Sequence, residues 1–67
     1  MPRDIELEQE TDARWLAAVP ALPGVLAYGA TPERARDVVS VLAFRVMADR
    51  IEHGEELPDA VADFFVV

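Results

Sequence analysis

Cysteine is absent from this 67-residue chain, which rules out a disulfide framework and any thiolate metal site. A secreted domain of this size usually leans on such staples, so a reducing cytoplasm is the expected home. Basic residues are scarce too: Lys and Arg number 6 against 13 Asp and Glu, for a net charge of -7. Direct nucleic-acid binding needs a basic patch to neutralise phosphates, and this composition offers the opposite field. No apolar run approaches membrane-spanning length, and the opening MPRDIELE carries charges where a signal peptide has an apolar stretch. Histidine occurs once, at His53, in the last turn of the expected helix; with no second His or Cys, a metal site is not expected. The hydroxyls are Thr11, Thr31, Ser40 and Tyr28, and none has a base at a spacing that suggests a nucleophile. These shortages point to a protein that is not an enzyme and holds no cofactor.

Apolar residues, in contrast, make up 52% of the chain, and its mean hydropathy is +0.13. A single domain this short hides only about 60% of the surface its unfolded chain exposes. More apolar surface is present than one thin core conceals, so part of it is expected to meet another chain. The charge is uneven. Asp4, Glu6, Glu8, Glu10 and Asp12 stand near the start, and Glu55, Glu56, Asp59 and Asp63 near the end, while the middle is almost neutral. A basic protein partner fits such a field.

Residues 3–10 alternate, with Ile5 and Leu7 on one side and Glu6, Glu8 and Glu10 on the other, which predicts a strand with one wet face. After a turn at 11–13, residues 14–19 predict a second strand with Trp15, Ala17 and Val19 on one face, completing an antiparallel hairpin. Pro20, Pro23 and Gly24 mark a stiff connector, with Val19 and Leu22 held extended before the prolines. A short third strand follows at 25–28. Thr31, Pro32 and Glu33 predict a capped helix start, and Gly54 with Pro58 a stop near His53. Ala35, Val38, Val39, Leu42 and Val46 form the stripe expected to cover the sheet, with Val41, Phe44, Ala48 and Ile51 nearly opposite. The apolar end Phe64, Phe65, Val66 and Val67 predicts a fourth strand, parallel to the first if the helix is a right-handed crossover. The expected class is α+β, in the order β-β-β-α-β, with the helix on one face of the sheet.

Three groups of side chains are candidates for function. Glu6, Glu8 and Asp12, with Trp15, Leu22 and Tyr28 around the connector, form a candidate partner-binding set, although the acids also suit a solvated strand face and the aromatics also suit a core. Phe44, Ile51, Phe64, Phe65 and Val66 form a candidate oligomer interface. The acidic series could belong to a two-metal nuclease only if further carboxylates swung in, because same-face strand residues stand nearly 7 Å apart and point out in parallel.

The run at residues 12–35, DARWLAAVPALPGVLAYGATPERA, resembles the N-terminal domain of the HicB-family antitoxins. Asp12, Trp15, Ala17, Val19, Pro20, Leu22, Pro23, Gly24, Gly29, Thr31, Glu33 and Ala35 stand where that family's pattern expects them. Ala13 replaces a glycine, Ala21 and Ala30 replace acids, and Arg34 replaces a second glutamate. The resemblance implies a truncated RNase H-like sheet and helix that forms homo-oligomers, dimers or tetramers. It also implies neutralisation of a small basic, HicA-like toxin that cleaves messenger RNA, by covering its RNA-binding face. Many family members add a C-terminal DNA-binding segment; here a single domain over residues 1–67 without one is expected. A stand-alone oligomeric scaffold without a toxin is the alternative.

Overall fold

Alternating residues and tight turns build the sheet of the computed structural model, which describes residues 5–58. Its elements are β1 (Glu6–Gln9), β2 (Trp15–Ala18), β3 (Leu26–Gly29) and α1 (Pro32–Glu52). The three strands pair antiparallel in the order β1-β2-β3, and α1 packs on one face, chiefly over β3 and β2. The α+β arrangement expected from the sequence is therefore present, with β1 and β2 shorter than the runs that announced them and β3 shifted by one residue. The expected fourth strand lies outside the described residues. No helix among the described residues is long and apolar enough to cross a membrane.

Each connection has a local cause. Between β1 and β2, the Ala13 N–H donates to Glu10 O (3.0 Å) and the Glu10 N–H to Arg14 O (2.7 Å), closing a three-residue loop in which Ala13 adopts φ 71°. That left-handed position ordinarily takes glycine. The connector between β2 and β3 is tighter than a stiff extended link. Leu22 N–H bonds back to Val19 O and Val25 N–H back to Leu22 O, giving two successive turns, each with proline in its second place. Gly24, with φ 87°, supplies the positive angle that the third place of a type II turn requires. Val19 N–H then bonds to Val25 O and starts the β2–β3 ladder.

The helix is closed at both ends by its own sequence. Thr31 Oγ1 accepts from the Arg34 N–H at 3.1 Å, and Pro32 occupies the first turn, where its missing N–H costs nothing. At the other end Gly54, with φ 74°, donates to Ile51 O while the Glu55 N–H donates to Arg50 O. This paired closure satisfies carbonyls that the last turn would leave bare. With 21 residues α1 is about 32 Å long, against about 13 Å for a four-residue strand, so the helix overhangs the sheet.

The core consists of Ala17, Val19, Leu22, Val25, Ala35, Val39, Ala43 and Met47. On the helix the buried line is Ala35, Val39, Ala43 and Met47, flanked by Ser40, whose Oγ donates to Arg36 O at 2.7 Å. The expected stripe is thus corrected: Val38 is exposed, Leu42 and Val46 are half-buried flanks, and Ala43 and Met47 take the centre. The cause is a close approach at the start of the helix. A Cβ on Gly29 would meet the backbone nitrogen of Ala35 and lie 2.8 Å from its Cα, so only glycine lets α1 settle this near β3. Small residues continue that contact, with Ala17 and Ala27 paired on the sheet and Ala35 and Ala43 above them. The helix is therefore turned so that Ala35 and Ala43 face the sheet, with Val39 and Met47 along the same line.

Gly29→Ala is expected to cost roughly 1–3 kcal/mol, because backbone must move to admit the methyl group. Leu22→Ala, which empties a fully buried site, is expected to cost roughly 2–5 kcal/mol. Urea denaturation of the two variants checks both values, and a Gly29→Ala protein as stable as the parent would contradict the close contact.

Candidate functional site

Strand register sorts the side chains of the sheet into two faces, because directly paired residues project to the same side. The rows Leu7–Ala17–Ala27 and Gln9–Trp15–Gly29 face the helix. The rows Glu6–Ala18–Leu26 and Glu8–Leu16–Tyr28 face away from it. The outer face thus grades from carboxylates on β1 to aliphatic and aromatic side chains on β2 and β3. Leu26 is 47% exposed and Tyr28 43%, while Leu16 and Ala18 are half-buried between them. Apolar surface thus adjoins a row of like charges on one face of the sheet.

The β1–β2 turn is tied into this face. Asp12 Oδ1 accepts from the Arg14 N–H at 3.1 Å, and Asp12 Oδ2 accepts from Arg14 Nε at 2.6 Å. The Arg14 guanidinium in turn lies 4.4 Å from the centre of the Tyr28 ring, a distance at which the cation is attracted to the ring face. The backbone N–H of Arg14, and next its side chain, hold the Asp12 carboxyl below the usual aspartate range. Asp12 therefore positions Arg14, and Arg14 restrains Tyr28.

Of the candidate partner-binding residues, Glu6, Glu8 and Tyr28 share the outer face, and Asp12 reaches it through Arg14. Leu22 is corrected to a core residue at 0% exposure, since the tandem turns direct it inward. Trp15 is likewise corrected: it is half-buried on the helix-facing side, paired across strands with Gly29, and packs against the core. Sequence reasoning passed over Leu16 and Leu26. The signal was present, because an inward Trp15, Ala17 and Val19 leaves Leu16 and Ala18 facing out.

Among the proposed oligomer residues, Phe44 (41%) and Ile51 (50%) are exposed on the back of α1, together with Val41 (53%). Phe64, Phe65 and Val66 lie outside the described residues. A second apolar area, lined by Val38, Val41, Leu42 and Arg45, runs along one flank of the helix. His53 Nδ1 donates to Asp49 O at 2.7 Å and lies 3.4 Å from Asp49 Oδ1, which anchors it to the last helical turn. Among the described residues, no group of three or more His, Cys, Asp and Glu is placed to hold a metal ion. No family model, curated protein or solved structure matches the chain.

Two outcomes follow from the turn. Ala13→Gly is expected to stabilise the fold by about 1 kcal/mol by removing the cost of a left-handed alanine, readable as a raised melting temperature. Because folding lowers the Asp12 pKa, ionised Asp12 supports the fold above the unfolded value, and that support is lost as pH falls through the lower folded value. Asp12→Asn should flatten the acid limb of stability between about pH 5 and pH 2. Identical limbs in urea titrations would show that the Asp12–Arg14 contact adds nothing to folding.

Proposed function

We propose that this chain is an antitoxin-like protein-binding module of a type II toxin–antitoxin system, HicB-like in kind, that neutralises a small basic toxin by covering its RNA-binding face. The observation that carries the reading is the outer sheet face, where Glu6 and Glu8 adjoin Leu16, Leu26 and Tyr28. A basic protein approaching this side meets carboxylates first and apolar surface second. The carboxylates speed encounter and select for charge, while the buried aromatic and aliphatic contacts set the lifetime of the complex.

The motif that suggested the family also gains a physical basis. Its valine–proline and leucine–proline–glycine segments make the tandem turns, its glycine admits the helix, and its threonine caps α1. These residues keep the face in shape. The alternative, a stand-alone oligomeric scaffold, is favoured by the exposed Val41 and Ile51 on the opposite side of the molecule.

The test is co-expression with any small basic protein encoded beside this chain. The complex is expected to co-purify, to weaken as salt rises, and to associate more slowly when Glu6 and Glu8 are both changed to Lys. Tyr28→Ala is expected to accelerate dissociation by roughly tenfold, read by surface plasmon resonance. If no basic neighbour exists, or association is indifferent to salt and to these variants, the proposal fails.

A further inference from the structure

We infer that the outer face of the sheet seats an amphipathic α-helix of a partner protein, laid along the strands with a basic flank over β1 and an aliphatic stripe over β2 and β3. The inference rests on the proposal of a basic protein partner, and it names the element by which such a partner binds. An antiparallel sheet can leave one face in water, but a face of that kind is polar. This one is not. It carries Ala18 and Leu16 on β2 beside Leu26 and Tyr28 on β3, and only the column on β1, Glu6 and Glu8, is charged. Leu26 and Tyr28 are among the large apolar side chains that the fold leaves exposed, while α1 lies on the opposite face.

The arrangement selects a helix among the possible occupants. An extended segment finds no backbone partner on the face of a sheet, where strand N–H and C=O groups point sideways to their neighbours, whereas a helix arrives with its backbone bonds closed. A second sheet would press apolar side chains on all three columns and bury the carboxylates of Glu6 and Glu8 without partners. The width agrees as well. Strands about 4.8 Å apart put β1 and β3 about 10 Å from each other, which is the diameter of one helix.

Charge and spacing define the occupant further. Glu6 and Glu8 are both exposed and stand two strand residues apart on one face, a separation of about 6.8 Å. Four residues of a helix rise about 6 Å, so lysines or arginines at i and i+4 along one flank meet both carboxylates. A neighbouring stripe of aliphatic residues at helical spacing then meets Leu16, Leu26 and Tyr28. Arg14, which borders the face, is held by Asp12 at 2.6 Å and lies against the Tyr28 ring, at the turn end of the sheet. The net charge of -7 favours a basic helix over an acidic one and over a second copy of this chain.

The test uses a synthetic helical peptide of about 18 residues, with a leucine stripe and with lysines every fourth position along one flank, titrated into the labelled protein by NMR. Amide shifts are expected at Leu16, Leu26 and Tyr28, and not along α1. A peptide of the same composition in scrambled order should bind at least about tenfold more weakly, because its stripe is lost. Changing Glu6 and Glu8 together to Gln should raise the dissociation constant roughly fivefold, whereas the same change at the exposed Glu55 and Glu56, equal in net charge, should leave it unaltered. Far-UV circular dichroism checks that the variants remain folded; should the Glu6 and Glu8 variant unfold, the scrambled peptide and the map of shifts decide. The inference is overturned by a peptide that fails to bind at millimolar concentration, by equal binding of the scrambled peptide, by shifts centred on α1, or by equal weakening in the two glutamine variants. A peptide that binds as expected, with no basic neighbour that co-purifies, removes the toxin reading and keeps this one. A neighbour that co-purifies, with a peptide that does not bind, does the reverse.

Discussion

The close contact between the end of β3 and the start of α1 governs the rest of the structure. Gly29 has no Cβ, so the backbone of Ala35 comes within the space that any other residue would fill. From that point the helix direction is nearly determined, because Thr31 and Pro32 start the first turn immediately above the contact. The alanines Ala17, Ala27, Ala35 and Ala43 keep sheet and helix near each other, and Val39 and Met47 fill what remains. A core of this kind depends on approach distance more than on bulk. It suits a chain too short to bury many large side chains.

The same contact decides what is left outside. With the smallest residues turned inward, Val38, Val41 and Ile51 face outward, so α1 presents apolar side chains around much of its circumference. A helix apolar on more than one side normally sits inside a larger body. The outer sheet face adds Leu26 and Tyr28. Surface of this amount is uncommon on a small domain, and it divides between a charged outer strand, β1, and an uncharged one, β3.

Asp12, Arg14 and Tyr28 connect the turn to that surface. The turn places Arg14 so that its guanidinium satisfies the carboxylate and covers the ring at once. An arginine held in this way contributes one positive charge at the border of an acidic face, and it lies against the exposed Tyr28 ring. A left-handed Ala13 is the strained link in the chain of contacts.

Local chemistry made much of this molecule legible from its residues. Alternation at Ile5–Gln9 and Trp15–Val19 foretold the hairpin, and Pro–Gly and Thr–Pro–Glu foretold the second turn and the helix start. Gly54 foretold the helix end. Each depends on φ restrictions or hydrogen bonds between near neighbours, which a sequence states directly. The rotation of α1 and the inward course of Leu22 were not legible, because each is settled by a contact between residues distant in the chain. Periodicity supplied an apolar stripe beginning at Ala35 and could not say that Val38 would yield its place to Ala43 and Met47. That choice belongs to tertiary structure: the steric demand of one glycine against one helical turn, met in space and invisible in order, selects which of several apolar faces is buried and which is left exposed.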